Sequence, residues 1–568
     1  MPKFILLTPW SKGLKLEGNR PGFVKKKDPA MYDLILKGGT VIDGTGRPAF
    51  PADVAIKDGA IESVGPDLEA SDETPLIEVK GLMVCPGFID THSHSDLSLL
   101  LDPAADSALF QGVTTEVIGN CGLSTFPAAK ETRDQLRSYL AGLGDDGSGP
   151  LAWADLAEYA QDLEKRGLGI NLVPLVGHGS IRIAVMGFEA REAGPKEMGR
   201  MKGLLGEALD QGAIGLSSGL VYPPGNNAPS RELTELAEAA TQRGGLYTTH
   251  LRGDTLKKGP SLIQSLEEVL DLARRTGIRL HVSHLDPKYP NTGTVGEVLD
   301  TLEAAREEGL EVTCDAHPYL AAMTDLASLL PPWVFAGGTR ETVRRLTEEP
   351  ERGRVLAAVR ESFSHLDPGE IWSLNELVWP EGGKDLNRLR FDKIGAKLGL
   401  DPAEALLTIL ARAGERLFEI IVLQWIYSAE ETEELLAWPW TTVGADGASS
   451  TPGGGVGGLT VHPRSWGTFP RYLRWLHYEA ARLSLEEAVR KMTGLPAQVF
   501  SLVDRGLIRP GMAADLTVFD PKEFKDRATY TDPRRPAQGM RYVLVNGRLA
   551  VDQGQRTGQG TGVVLRRG

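Results

Sequence analysis

Ten histidines are spread over 568 residues, and two of them stand as His92-Ser93-His94 in the run Gly87-Phe88-Ile89-Asp90-Thr91-His92-Ser93-His94. In an extended strand, residues i and i+2 face the same side, so both imidazoles can reach one metal ion. The bland alternative is a chance pair of surface histidines. Two further histidines close β-branched runs: His250 ends Tyr247-Thr248-Thr249-His250, and His284 ends His281-Val282-Ser283-His284. Each alone could be a satisfied core residue; beside the first pair they read as ligands. Cys121 lies in the turn Gly119-Asn120-Cys121-Gly122. Buried, inert cysteine is the usual case and suits Cys85 and Cys314, which fall within strand-like runs. A glycine-flanked turn instead offers a thiolate, and thiolate with imidazole suits Zn²⁺. Asp446, in Gly444-Ala445-Asp446-Gly447, can face that metal, take a proton from water and return it to a leaving amine. The chemistry these residue types point to is metal-assisted amide hydrolysis.

Residues so far apart in sequence meet only if a fold brings their elements together. Candidate strands cover 83–92, 113–119, 171–178, 213–219, 246–252, 279–285, 311–319 and 441–447, with helices at 196–211, 231–243, 262–275 and 297–308. Ser230 precedes the helix at 231–243 as its expected N-cap. Eight strands alternating with helices indicate a (β/α)₈ TIM-type barrel, whose strand C-termini line one mouth. The histidines, Cys121 and Asp446 all fall at such ends. The gap before the last strand, 327–440, is too long for a loop and reads as an inserted lid-like subdomain over that mouth. Outside the barrel (86–504), the two ends share a texture of short strands and tight turns, such as Asp58-Gly59 and Asn546-Gly547. Residues 32–85 and 505–568 are expected to pair into one small β-sandwich, since isolated hairpins are marginal in water. The fold class is α/β.

Composition narrows the function. A net charge of −14 with mixed signs supplies no basic surface for nucleic acid. No apolar stretch reaches the ~18 residues of a membrane span. Residues 1–31 carry a lysine-rich leader, expected to be disordered, whose apolar run Phe4-Ile5-Leu6-Leu7 is too short for a signal peptide. Three cysteines in all make no disulfide framework and fit a reducing cytoplasm. The run Gly453-Gly454-Gly455-Val456-Gly457-Gly458 lacks the lysine of a phosphate loop and reads as a mobile active-site loop. His178, at the end of the third strand, lines the mouth or is structural; His281, His365 and His477 are assigned no function.

Taken together, the strand-one His-x-His, the histidines ending strands five and six and the strand-eight aspartate resemble the amidohydrolase superfamily. A finer resemblance is to the D-aminoacylases, the N-acyl-D-amino-acid deacylases. It rests on Gly119-Asn120-Cys121-Gly122, Gly215-Leu216-Ser217-Ser218-Gly219-Leu220-Val221-Tyr222-Pro223-Pro224-Gly225, Thr249-His250-Leu251-Arg252, His317-Pro318-Tyr319 and His462-Pro463-Arg464-Ser465-Trp466-Gly467-Thr468-Phe469. It implies zinc held tightly by Cys121, His250 and His284, a weaker second position at His92 and His94, and Asp446 as acid/base. Tyr222, Arg252 and Tyr319 would line the substrate pocket. The family's lysine two residues after the strand-six histidine is here Asp286, and Lys288, two further on, takes its part; Met323 and Thr324 alter the pattern after Tyr319. The expected substrate is a small molecule with a free carboxylate, an N-acyl-D-amino acid or a D-terminal dipeptide. In so acidic a chain, Arg252 and Lys288 are the cations placed to bind it. Two alternatives differ in kind. A cyclic-amide hydrolase of the dihydroorotase or hydantoinase type generally needs a carboxylated lysine on strand four, where Ala213-Ile214-Gly215-Leu216-Ser217-Ser218-Gly219 has none. A non-catalytic scaffold would tend to lose ligands that this chain keeps.

Overall fold

The computed structural model describes residues 31–69, 71–143, 151–379, 384–454, 462–558 and 560–567. Residues 1–30 of the leader and residues 455–458 of the glycine run lie outside these. Barrel strands run in parallel register in the order of the chain: Phe88–Asp90, Val113–Ile118, Asn171–Pro174 continuing to Val176–Gly177, Gly215–Gly219, Leu246–His250, Arg279–Val282, Val312–Ala316 and Thr441–Val443. The third strand joins the two halves: Leu175 N donates to Ile118 O at 2.9 Å, and Ile214 N donates to Pro174 O at 2.9 Å. The eighth strand meets the first through Thr91 N to Val443 O (3.3 Å), Asp446 N to His92 O (2.7 Å) and His94 N to Gly447 O (2.7 Å). Those last two bonds already involve site residues, so closing the barrel and setting the site are one event.

Helices cover the outside, each for local reasons. Leu262–Thr276 starts at a capping box, with Ser261 Oγ accepting from Gln264 N and the Gln264 side chain accepting from Ser261 N. It stops at Gly277, whose φ of 66° suits a residue without Cβ. Leu262, Leu266, Val269, Leu270 and Ala273 fall on its buried face at helical spacing. The helix Ser230–Thr241 begins one residue earlier than expected, with Pro229 as N-cap; Ser230 Oγ instead donates to Glu268 at 2.7 Å. His178 does not end a strand but opens the helix His178–Met186, its ring 2.8 Å from the Glu232 carboxylate that Arg182 also holds.

One nine-stranded sheet takes strands from both ends of the chain. Met83–Pro86 is its link to the barrel, paired antiparallel with Leu516–Phe519, and Gly87 turns the chain into the first barrel strand. A Cβ on Gly87 would meet Thr114 Oγ1 at 2.1 Å. The sheet folds over its own core, including Leu36, Val54, Val84, Leu516 and Leu544, and its two wings meet where Ala514 N donates to Gly59 O at 2.9 Å.

The insertion starts earlier than 327. Ala322–Asp325 pairs antiparallel with Ile421–Gln424, which pairs with Asn375–Val378. Helices Pro368–Leu374 and Phe391–Leu398 pack on strand Asn375–Val378, while Thr339–Thr347, Glu351–Ser362 and Pro402–Ala413 pack on one another. Ala429–Ala437, inside the expected range, belongs to the barrel: it packs on the seventh strand and on helix Val295–Glu307. Hydrophobic patterning could not separate this barrel helix from the helices of the insertion. Among the described residues, no helix is long and apolar enough to cross a membrane.

Asp515 fastens the terminal sheet to the barrel. Its carboxylate accepts from Asn171 Nδ2 (3.0 Å) and Asn546 N (2.6 Å) and pairs with Arg505, while its carbonyl accepts from Gly87 N (2.8 Å). Removing one partner of a buried ion pair costs about 3–5 kcal/mol; Arg505 keeps a second partner in Asp504, which places Asp515→Ala near the lower end. Urea unfolding should show a loss of about 3 kcal/mol, with kcat of the folded fraction within twofold of wild type. A loss below about 1 kcal/mol would remove Asp515 as the fastening.

Candidate metal centre and active site

Cys121 reaches the centre of the mouth because the chain turns sharply after strand two. Gly119, Cys121 and Gly122 have φ of 78°, 53° and 74°, the left-handed region that favours glycine. A Cβ on Gly119 would lie 2.2 Å from Leu175 O, and one on Gly122 would lie 2.9 Å from Gly219 N. Ser217 Oγ accepts from Gly122 N at 3.0 Å and donates to Gly119 O, tying the turn to strand four.

The thiol that results is buried among imidazoles. Cys121 Sγ stands 3.3 Å from His92 Nε2, 3.5 Å from His284 Nε2 and 3.8 Å from His250 Nδ1. Two triplets emerge, His92–His94–Cys121 and Cys121–His250–His284, with ligand atoms in each within 4.8 Å of one another. A tetrahedral ion with Zn–S of ~2.3 Å and Zn–N of ~2.0 Å sets S···N edges of about 3.6 Å. The separations around Cys121 match that edge, and soft sulfur with imidazole is a zinc-type donor set. Burial pushes the Cys121 thiol up, but the charges of His92 and His284 and hydrogen bonds from His250 and His284 outweigh it and hold its pKa well below the usual thiol range. For His284, burial is outweighed by the Cys121 thiolate and Asp254, and its pKa rises to about 10. Cys85 and Cys314 are also buried, and burial raises both thiols.

Asp446 follows strand eight by three residues, at φ 50°. Its Oδ1 is 3.0 Å from His94 Nε2 and 3.6 Å from His92 Nε2, and its Oδ2 accepts from Arg464 Nη1 at 2.8 Å. Burial raises this carboxyl, but Arg464 and His94 hold it well below the ordinary range.

A cavity opens from these groups in two directions, shared by Tyr222, Met323, Thr324 and Asp446. The polar arm is lined by Thr255, Lys288, Ser328, Gln424 and Tyr427. Leu123, Tyr139, Leu143, Phe418 and Ile421 line the apolar arm, with Arg464 at its inner wall. The insertion therefore roofs the mouth from Met323, Thr324, Ser328, Phe418, Ile421 and Gln424.

Lys288 faces the polar arm, its Nζ 2.7 Å from Asp254 Oδ1. Asp286 turns away, accepting from Thr432 Oγ1. Two expected pocket residues stand elsewhere. Arg252 spends its guanidinium on Glu268 (3.2 Å), Asn226 O (3.1 Å) and Ala228 O (2.9 Å) and lines neither arm. Period two places Arg252 on its ligand's face only while the strand continues, and the strand ends at His250. Tyr319 is buried behind the cavity, its hydroxyl 3.3 Å from Pro463 O. Arg464, within the run His462–Phe469 but with no spacing that marks it as a site residue, is the guanidinium at the cavity. Asp254 was missed as well: its Oδ2 lies 3.2 Å from His284 Nδ1 and 3.3 Å from His250 Nε2. Its one sequence signal is a position four residues after His250.

The amidohydrolase family model matches residues 76–349 and 431–551. N-acyl-D-aspartate deacylase of Alcaligenes xylosoxydans xylosoxydans is 34% identical over 535 residues, 93% of this chain and 94% of that one. The chain belongs to the amidohydrolase family, on its D-aminoacylase branch. Solved amidohydrolases of this branch share the whole fold. N-acyl-D-glutamate deacylase from Bordetella bronchiseptica, complexed with zinc and a phosphonate inhibitor, is similar with a TM-score of 0.77, 32% identity and coverage of 95% of this chain and 100% of that one. A D-aminoacylase described with a binuclear metal centre is similar with a TM-score of 0.77 and 33% identity, over 94% and 100% of the two chains.

Because Gly119 combines a left-handed φ with a backbone neighbour, Gly119→Ala should displace Cys121. Gly81→Ala is the control, having φ of 83° and nothing within 4 Å of its Cβ. The control should cost about 1 kcal/mol and keep wild-type bound metal, whereas Gly119→Ala should cost about 1–3 kcal/mol and lose at least half of it. Equal metal content in the two variants would show that the turn does not set the thiolate.

Proposed function

We propose that this amidohydrolase cleaves the amide bond of N-acyl-D-amino acids, releasing a carboxylate and a free D-amino acid. One observation carries the reading: a single buried thiolate shared by two histidine pairs, with the Asp446 carboxylate beside them and two cations, Lys288 and Arg464, facing the same cavity. The D configuration rests on the names of the relatives. Cys121, His250 and His284 would hold zinc most tightly, with His92, His94 and Cys121 as a weaker second position. Bound zinc supplies a Lewis acid that polarises the carbonyl and acidifies water. Asp446 takes a proton from the attacking water through Oδ1. As the C–N bond breaks, it delivers that proton to the amine nitrogen. Arg464 keeps Oδ2 occupied, so the reacting oxygen of Asp446 is fixed. Lys288 and Arg464 bind the substrate carboxylate, and Tyr222 stands between the two arms. Three buried cysteines without a disulfide support a reducing compartment such as the cytoplasm.

Metal analysis and a matched panel of N-acyl-D and N-acyl-L amino acids test the reading. Wild type should bind zinc and favour the D series. Cys121→Ala, His250→Ala and His284→Ala should each lose zinc and activity together. Asp446→Asn should keep its zinc and lose about 10²–10⁴ in kcat, because an amide cannot relay a proton. Full zinc in Cys121→Ala would refute the tight position, and a tenth of wild-type kcat in Asp446→Asn would refute the proton role.

The carboxylate claim has its own test. A charge-assisted hydrogen bond contributes roughly 1.5–3 kcal/mol, about ten- to a hundredfold in kcat/KM. Wild type should prefer the acids to their primary amides by that factor, and Lys288→Met or Arg464→Met should lose the preference. Arg252→Met should retain it, being turned to Glu268. Equal turnover of acids and amides by wild type would overturn the claim.

A further inference from the structure

The interior of the barrel holds a second group of polar side chains beneath the thiolate. Asp315, on strand seven, places Oδ2 at 3.2 Å from His92 Nδ1 and at 2.9 Å from His281 Nε2. Its Oδ1 accepts the backbone N–H of His284 at 2.9 Å. His281 continues the chain, its Nδ1 2.8 Å from Thr313 Oγ1. Asp315 and His281 are each 1% exposed, and His92 is fully buried. Gly444 packs directly on both groups: a Cβ there would lie 2.6 Å from His92 Cβ and 2.9 Å from Asp315 Oδ1.

The donors and acceptors of this chain have one consistent direction. An ionised carboxylate only accepts, so both imidazoles must donate to Asp315, His281 from Nε2 and His92 from Nδ1. His281 Nδ1 then accepts from the Thr313 hydroxyl. With its Nδ1–H committed, His92 presents Nε2, the atom 3.3 Å from Cys121 Sγ. His94 has no such support, since its Nδ1 is buried without a hydrogen-bond partner. Within the His92–His94–Cys121 triplet, His92 is therefore the imidazole whose nitrogen facing away from the sulfur is held by a carboxylate.

We propose that Asp315 and His281 are positioning residues that fix the tautomer and ring of His92, and so set metal occupancy at the His92–His94–Cys121 position. The proposal rests on the zinc reading above. A carboxylate behind a ligating histidine typically changes metal affinity or activity ten- to a hundredfold. Here that carboxylate is in turn oriented by a second histidine that touches neither metal position.

The test is zinc binding to the full-length metal-stripped protein, followed by equilibrium dialysis for the first and second equivalents. His281→Phe keeps the ring volume without a donor; His281→Gln keeps a donor. In His281→Phe the dissociation constant of the second zinc should rise tenfold or more while the first stays within threefold. His281→Gln should hold both within threefold. Asp315→Asn has one acceptor oxygen for three donors and should weaken the second zinc at least tenfold. Should Asp315→Asn fail to fold, the His281 pair decides alone. A wild-type second-zinc constant in His281→Phe, or equal weakening in His281→Phe and His281→Gln, overturns the proposal. Wild type binding one zinc only overturns it while leaving the tight position standing; wild type binding none overturns both.

Discussion

Three imidazole nitrogens within 3.3–3.8 Å of one buried sulfur form the constraint on which the rest of the mouth depends. A thiolate taken out of water is costly unless it is paired, and here the pairing partners arrive from strands one, five and six. None of them is near Cys121 in sequence, so the barrel must close before the charge is compensated. Closure and compensation share bonds: Asp446 N to His92 O and His94 N to Gly447 O both hold strand eight to strand one and aim site residues. A defect in either would be felt in the other.

The backbone meets that demand with strain. Cys121, His284 and Asp446 have φ of 53°, 32° and 50°, where a residue with a Cβ costs of order 1–3 kcal/mol. All three sit at the first residues past a strand, where the chain must leave the barrel wall and still point a side chain inward. The strain is held by groups that also orient the ligands, such as Asp315, which binds the His284 N–H with one oxygen and the His92 ring with the other.

Period and residue type made much of this legible from the sequence. The eight strands, the i, i+2 histidines, the two strand-ending histidines and the glycine-flanked cysteine are local patterns, and each is brought to the mouth. What escaped depended on groups meeting across the fold. Arg252 looked like a pocket cation because it follows a ligand by two residues, yet Glu268, on a helix sixteen residues on, claims it. Arg464 and Asp254 carry no periodic signature; their importance comes from Asp446 and Lys288, which they meet only in space. Asp315 hid in Val312–Ala316 as one more buried strand position, and His281 as one more core histidine. The insertion begins five residues before 327, a start the sequence hides because Ala322–Asp325, half-buried throughout, lacks the apolar alternation that marks a strand.

The roof and the cations form one argument about selectivity. The insertion roofs the mouth, and groups withdrawn from water under such a roof interact more strongly, so that an unpaired charge there is expensive. Accordingly Lys288 is matched by Asp254 and Arg464 by Asp446. Neither pair is saturated, since an ammonium offers three donors and a guanidinium five, and Arg464 Nε is buried without a partner. On the proposed function, an anionic substrate would fill donors that a neutral one leaves dry. Discrimination then comes from the penalty on the wrong ligand as much as from attraction to the right one. That penalty exists only because residues of the insertion, Met323, Thr324 and Gln424 among them, close over the cavity. A bare barrel with the same cations would leave them hydrated and the choice weak.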